Sequence, residues 1–420
     1  MSEGRNQKAE AVTMKIAIIG GGASGLACAV SVMSLSKAKG RKTEVDVIEK
    51  NERVGKKLLS TGNGRCNLTN LYVDKNGYPY TYHFAEYALT HFPPESNIDF
   101  FSSLGLYCVS DSEGRVYPMS NQASAVLDAL RFSCEEAGVN FICGSECLKI
   151  KKSGGGFLIN GESYYDKVVF ACGAKAGVKS FKSYELLSSL GHGVTGTAPS
   201  LVKLVSSDKA LRQLKGIRAS AKVSLFDGKT LLKEETGELQ FGDNTVSGIA
   251  AMQLSVYAAR HFLKSKAPLR LSVDFVPGMS FEKLFGAVEN TVRLHPGFAA
   301  ENLLTGFMPK KVGMMLLKKA EIGLNESLSA LQTKQIKGLC AVCKKCVFEI
   351  TGTMDFSAAQ VTAGGMKTDE FDPKTMQSKK HRGLYCIGEM LDVDGLCGGY
   401  NLQWAWSSAR CCALSIVTGE

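Results

Sequence analysis

The 420-residue chain has no run of about 18 consecutive apolar residues, which excludes an ordinary transmembrane helix. The first thirteen residues are polar and contain no apolar signal-peptide core. They are expected to form a loose tail over residues 1–13. None of the six histidines falls in an H-x-x-x-H or H-E-x-x-H pair, and no Ser/His/Asp set stands out. His192 beside Gly191 reads as a helix end, and His295 before Pro296 as a turn. No internal repeat is present. No basic stripe with interleaved aromatics appears, so nucleic acid is not the expected partner, although a formal net charge of +10 permits it. The same charge suits anionic substrates and cofactors.

Hydrophobic residues make up 45% of the chain and charged residues 21%, a globular balance. The length calls for two or three structural units. Fourteen cysteines are scattered through apparent strands and helices. With no export signal they read as reduced and mostly buried, as in a cytoplasmic enzyme. Cys340-x-x-Cys343-x-x-Cys346 invites a metal reading. It lacks a fourth nearby ligand, and the segment reads as a helix end entering a strand, which separates the thiols. No metal is expected.

The richest segment begins at Met14. A short apolar strand runs into Gly20-x-Gly22-x-x-Gly25, which opens a helix through Ala23 and Ser24. A second strand, Glu44–Glu49, ends in an acid. Gly20 permits the tight turn, Gly22 lets backbone approach a pyrophosphate, and Gly25 lets helix and strand pack closely. The phosphates then meet the helix N-terminus. Glu49 falls where a carboxylate accepts from an adenosine ribose. The order strand, turn, helix, strand, acid supplies the context that a bare glycine triplet lacks.

Three later segments extend this site. Gly55–Asn70 is rich in glycine and polar amides, and its backbone, Ser60, Asn63, Asn67 and Thr69 can bond phosphate, ribitol or a planar ring. Lys57 and Arg65 add positive charge. Lys167–Ala174 reads as an apolar strand ending in small residues that let a cofactor approach. In Gly383–Gln403 a strand ends at Gly388-Glu389, acids follow at Asp392 and Asp394, and Gly398-Gly399 opens a helix. That helix N-terminus can stabilise negative charge on a reduced isoalloxazine. A second, distant approach to the cofactor is what FAD needs and a nicotinamide does not.

These motifs occur in the order Gly20–Gly25, Gly55–Asn70, Gly114-Arg-Val-Tyr-Pro118, Ala359–Gly365, Gly388–Gly395 and Gly399–Gln403. In that order the chain resembles the bacterial FAD-dependent oxidoreductases labelled aminoacetone-oxidase-like, a family that includes 3-dehydro-bile-acid reductases. The resemblance covers about residues 14–415. It implies an α/β fold, with a Rossmann-like FAD-binding domain in two sequence segments, an inserted β-rich subdomain and a small helical subdomain. It also implies FAD contacts at Gly20, Gly22, Ala23, Ser24, Gly25, Glu49, Lys50, Lys57, Leu58, Ser60, Gly62, Asn63, Gly64, Arg65, Asn67 and Thr69. Further contacts are implied at Cys147 (through its backbone), Ala171, Cys172, Gly173, Gly388, Glu389, Asp392, Gly399, Tyr400, Asn401 and Leu402. Two stretches depart from the family pattern: Ala171-Cys-Gly-Ala174 with the following Gly177–Tyr184, and Phe241-Gly…Thr245-Val-Ser-Gly-Ile249.

The expected layout is FAD-binding segments at 14–195 and 351–420, a β-rich insertion at 196–279 and its helical part at 280–350. Helices are expected near 83–104 and 121–137. Strands are expected at Val139–Cys143, Glu146–Lys152, Phe157–Asn160 and Lys167–Ala171, with Gly154–Gly156 as a hairpin turn. The expected reaction is reduction of a C=C bond conjugated to a carbonyl, in a small-molecule substrate such as a 3-oxo bile acid or another steroid-like compound. NAD(P)H would be a transient electron donor visiting the flavin directly, since no second strand–GxGxxG–helix unit exists. An O2-using amine oxidase and an RNA-binding or RNA-modifying flavoprotein remain open. The catalytic residue is unassigned. Tyr400 and Cys397 are proton-donor candidates, Arg65 and Arg115 are candidates for a substrate carboxylate, and Arg115 also suits a structural ion pair. No membrane partner is expected, and the sequence does not fix an oligomeric state.

Overall fold

Met14–Ile19 forms a strand because four successive apolar side chains, Ile16–Ile19, can be buried on both faces of a sheet. In the computed structural model, which describes residues 13–178 and 180–419, this strand is the middle of a five-stranded sheet. The spatial order is Leu384–Cys386, Lys167–Phe170, Met14–Ile19, Thr43–Glu49, Asn140–Cys143. Every neighbouring pair is parallel. The fold is thus α/β and Rossmann-like. One edge strand is supplied from far downstream, after the inserted segment.

Two helices, Ala23–Ala38 and Tyr400–Thr418, pack against each other. Both are buried around most of their circumference, so their sequences are apolar or small nearly all round. The helix expected near 83–104 is two helices, Tyr82–His91 and Pro94–Ser103. The chain breaks at Pro93, which caps the second while Pro94 takes its first turn. Ala123–Glu136 forms the next helix. The strand expected over Glu146–Lys152 begins only at Ile150, because Cys147 lies in the connection that precedes it. Gly154 and Gly155 do turn a hairpin, in which Ser153 pairs with Gly156.

Ala198–Ala363 forms one compact unit, and the chain on either side of it forms the other. The inserted unit is a closed six-stranded barrel. Its order is Leu204–Ser206, Thr245–Ser247, Thr230–Phe241, Arg218–Asp227, Leu269–Asp274, Cys346–Thr353. Strict alternation explains its strands: Ala219, Ala221, Val223 and Leu225 point to the core, as do Cys346, Phe348 and Ile350. Four helices accompany the barrel: Ile249–Phe262, Phe281–Leu294, Lys310–Lys319 and Thr333–Lys344. The first of these lies within the stretch expected to be β-rich. The boundary expected at 350/351 falls inside the strand Cys346–Thr353. That strand closes the barrel by pairing with both Leu204–Ser206 and Leu269–Asp274, so it belongs to the inserted unit.

Cys340 and Cys343 sit on the end of Thr333–Lys344 and Cys346 opens the following strand, all three buried in the barrel core. No group of three or more His, Cys, Asp or Glu side chains among the described residues can hold a metal ion. No helix among them is long and apolar enough to cross a membrane. Residues 1–12 of the expected tail lie outside the described residues.

Candidate functional site

The glycine turn is held by contacts that leave no room for side chains. Gly20 has φ +107°, and a β-carbon there would lie 2.5 Å from the Ala171 carbonyl oxygen. On Gly25 it would lie 2.0 Å from the Gly20 oxygen. Gly22 differs: a β-carbon would meet nothing within 4 Å, so a ligand has room to approach. Gly22 also caps the helix without a side-chain hydrogen bond, leaving the first-turn N–H groups of Ala23, Ser24 and Gly25 for an anion. The Gly21 N–H donates to Glu49 Oε2 at 2.9 Å, and the Asn51 N–H to Glu49 Oε1 at 2.8 Å. The carboxylate placed by sequence at the ribose is therefore also the clamp of the glycine loop.

Next to Glu49, Gly144 and Ser145 donate their N–H groups to Asn51 O and Glu49 O. Cys147 follows, buried, its thiol pushed up to about 12 by desolvation. Lys50 is exposed on the rim, its Nζ 3.5 Å from Ser180 O. The Ala171 N–H donates to Ile19 O, which carries the strand pairing one residue further, and Cys172 Sγ bonds Ile19 O as well. Gly173, at φ +69°, has only Glu389 Oε2 at 4.0 Å from its β-carbon position.

The other end is built from segments more than 300 residues apart. Lys57 and Glu389 form an ion pair at 2.8 Å, tying the loop after the second strand to the turn after the edge strand. Leu58 is buried beneath it, and Ser60 turns its hydroxyl back to Lys57 O. Gly62, Asn63 and Gly64 are successively left-handed, at φ +56°, +55° and +83°. Arg65 then swings outward, its guanidinium 4.8 Å from the Tyr117 ring centroid. Thr69 Oγ1 donates to Gln403 at 2.6 Å, and Trp406 Nε1 to Leu68 O at 2.9 Å. Gly399 must be glycine, because a β-carbon would lie 2.4 Å from the Thr69 backbone and 2.9 Å from Asn67 Oδ1. Gly388, at φ +64°, leans on Ser24, donates its N–H to Ser408 and accepts from Trp404 Nε1.

Several side chains at the expected positions also make bonds within the protein. Asp392 Oδ2 accepts from Thr195 Oγ1 at 2.9 Å. Asn401 brackets the Gly395–Leu396 turn with its amide, leaving its backbone N–H at the helix start. Tyr400 packs its ring on Gly77 and edge-on to Tyr78, and burial pushes its phenol pKa up, so it stays protonated at neutral pH. Leu402 is half-buried. Arg115 pairs with Asp111 at 2.8 Å and Glu113 at 3.0 Å, the structural role foreseen for it.

Two buried polar atoms test whether a cofactor fits. Asn67 Oδ1 and the Tyr184 hydroxyl have no hydrogen-bond partner among the described residues. Leaving such a group unpaired costs about 1–3 kcal/mol, which a polar ligand atom would recover. Asn67 stands beside Gly399, and Tyr184 feels the charges of Glu389 and Asp392. With the uncapped helix ends and the glycine cradle, these residues fit FAD. Sequence reading missed Tyr184, Gln403 and Ser408. The signal for Tyr184 was present, since it ends one of the two stretches that depart from the family pattern.

The family described as HI0933-like protein Rossmann domain matches residues 14–415. The chain belongs to this family of FAD-dependent oxidoreductases. It is 38% identical over 406 residues to a 3-dehydro-bile acid delta(4,6)-reductase of Clostridium scindens, covering 94% of this chain and 97% of that one. It is 31% identical to a ribosomal RNA dihydrouridine synthase of Escherichia coli, covering 96% and 98% of the two chains. The corresponding Haemophilus influenzae protein is 28% identical, with 95% and 97% covered.

Proposed function

We propose that this protein reduces a C=C bond conjugated to a carbonyl, in a 3-oxo bile acid or related steroid-like substrate, with NAD(P)H as electron donor. The observation that carries this is the 38% identity, over nearly the full length of both chains, to a relative named for reduction of a bile acid. The dihydrouridine synthases support the reaction type independently. Dihydrouridine is uridine whose ring C=C, conjugated to a carbonyl, has been saturated. The two kinds of relative thus share a bond type while differing in substrate.

FAD bound in this cradle supplies hydride transfer at its ring. The chain's own residues bind and orient. The first-turn N–H groups of Ala23–Gly25 would hold the pyrophosphate, and Glu49 the adenosine ribose. The N–H groups at the start of Tyr400–Thr418 would stabilise negative charge on the ring. Asn67 Oδ1 would accept a hydrogen bond from the cofactor, and the Lys57–Glu389 pair ties the two halves of the cradle together.

The test is anaerobic. Rapid bleaching of the flavin by NADH or NADPH, followed by reoxidation with a 3-oxo-4,6-diene bile acid and formation of the saturated product, is the expected outcome. Bleaching by an amine alone, with peroxide formed in air, would establish an amine oxidase instead. A second reading, an RNA-modifying reductase, is favoured by the dihydrouridine synthase relatives and by the basic character of the inserted unit. It predicts dihydrouridine formed in ribosomal RNA and a tight RNA complex at physiological salt.

A further inference from the structure

A small sheet beside the cradle carries exposed apolar side chains that the cofactor does not explain. It consists of Thr69–Asn70, Arg115–Pro118 and Cys108–Ser110, with Arg115–Pro118 in the middle. Directly paired residues share a face. Val109 pairs with Tyr117, and the ladder continues where the Met119 N–H donates to Tyr107 O at 2.9 Å. Tyr107, Val109, Tyr117 and Met119 therefore line one face. Tyr107 is 65% exposed, Met119 64% and Val109 40%. Tyr117 is buried, with the Arg65 guanidinium over its ring and Gly62 beside it. Single exposed apolar residues need no explanation, but neighbours sharing one sheet face do.

Charge selects the occupant. Arg65 is exposed and forms no ion pair with a carboxylate among the described residues. The adjoining turn holds Asp111 and Glu113, and both are engaged by Arg115. With those carboxylates and Arg115 paired to one another, the cation left at the face is Arg65, one positive charge beside an apolar surface, which matches a ligand with one anionic group and an apolar body. Arg65 is also two residues from Asn67, whose unpaired Oδ1 faces Gly399 in the cradle.

We propose that this face docks an amphipathic monocarboxylate, with the apolar skeleton on Tyr107, Val109 and Met119 and the carboxylate on Arg65, the chemistry of a bile acid. The proposal deepens the reductase reading and rests on it only in taking the substrate to be a small amphiphile.

The test is titration calorimetry on the FAD-loaded full chain, with deoxycholate and its uncharged methyl ester as probes. Arg65→Leu should weaken deoxycholate binding by about tenfold, as expected for a lost charge-assisted contact, and leave the ester unchanged. Arg65→Lys should recover part of the loss. The double variant Tyr107→Ser/Met119→Ser should weaken both probes by about tenfold through lost apolar burial. Flavin absorbance per chain checks the loading of each variant, and the double variant stands apart from the cradle if Arg65→Leu loads poorly. Wild-type affinity for both probes in both variants overturns the proposal. So does loss of single-stranded RNA binding with deoxycholate binding retained, or a change in self-association by light scattering without one in probe affinity. Arg65-dependent binding without enone reduction would sink the reductase reading alone. Enone reduction at wild-type KM in both variants would sink the docking face alone.

Discussion

The inserted unit, Ala198–Ala363, carries 22 basic and 14 acidic residues, a net charge of +8, whereas the rest of the chain carries 28 and 26, a net +2. The two regions also obey different constraints. Around the cofactor cradle, identity is dictated by backbone running against backbone, as at Gly20, Gly25 and Gly399. In the barrel the requirement is an apolar side chain at every second position, which many sequences meet. A cradle of that kind keeps its motifs, while a barrel is free to vary in charge and surface. Of the family-like segments, Gly20–Gly25, Gly55–Asn70, Gly114–Pro118 and Gly388–Gly395 lie in the cofactor unit, while Ala359–Gly365 begins in the inserted unit.

The largest effect on bound flavin is expected from Gly25→Ala. Its β-carbon would sit 2.0 Å from a backbone oxygen that cannot yield, so the cofactor unit should lose about 3 kcal/mol and all bound flavin. Gly22→Ala, with open space around it, should keep its folding stability within about 0.5 kcal/mol and lose flavin affinity only. Denaturant unfolding and flavin absorbance read the two effects separately. Equal destabilisation by both would erase the distinction between packing and ligand-approach glycines.

Phe348→Ala probes the other side of the comparison. The side chain is fully buried in the barrel, and its removal should cost about 3–5 kcal/mol. Flavin should remain bound at temperatures where the barrel's unfolding is already visible by circular dichroism. Simultaneous loss of flavin and barrel would show one cooperative body where the contrast above describes two.

Thr69→Val should cost about 1 kcal/mol by breaking the bond to Gln403, detected as a lower unfolding midpoint of the cofactor unit. A pH effect comes next. Burial lowers the His192 pKa below its ordinary value, more than its bond to Glu370 raises it. The unfolded chain therefore takes up a proton before the folded one does. The stability associated with this group is complete above the ordinary histidine value of about 6.5 and falls as pH drops toward the lowered one. Unfolding free energy should rise between about pH 5 and pH 7, and His192→Gln should flatten that slope. An unchanged slope would place the titration elsewhere. Smallest is Lys57→Met. The pair is partly exposed, so stability should change by about 0–1 kcal/mol while flavin binding weakens measurably by fluorescence titration.

What the sequence disclosed was local. The strand, glycine turn and helix at 14–38 are specified within one short window, as is the helix-to-strand transition through Cys340–Cys346. The Pro93-Pro94 break and the late start of the strand at Ile150 are one-residue matters that periodicity blurs. The strand Thr230–Phe241 escaped notice because most of it is exposed and rich in glutamate. The barrel escaped because its closure joins Leu204–Ser206 to Cys346–Thr353, a pairing no window contains. In the site, glycines and helix starts were legible, but side-chain commitments were not. That Asp392 and Asn401 also hold Thr195 and Gly395 is visible only in the folded chain. The concentration of positive charge emerges only once the unit boundaries are known.

The bond from Thr69 to Gln403 spans 334 residues. A chain emerging from the ribosome makes the glycine turn early, with an N-terminal helix dipole able to greet phosphates. It cannot yet enclose the far end of the cofactor, because the wall bearing Gly399 has not been made. Retention of flavin therefore reports that synthesis has passed the helix Tyr400–Thr418 and that this helix has docked. Chains stalled before Gly399 should be colourless, and flavin absorbance per chain should measure how many molecules finished folding.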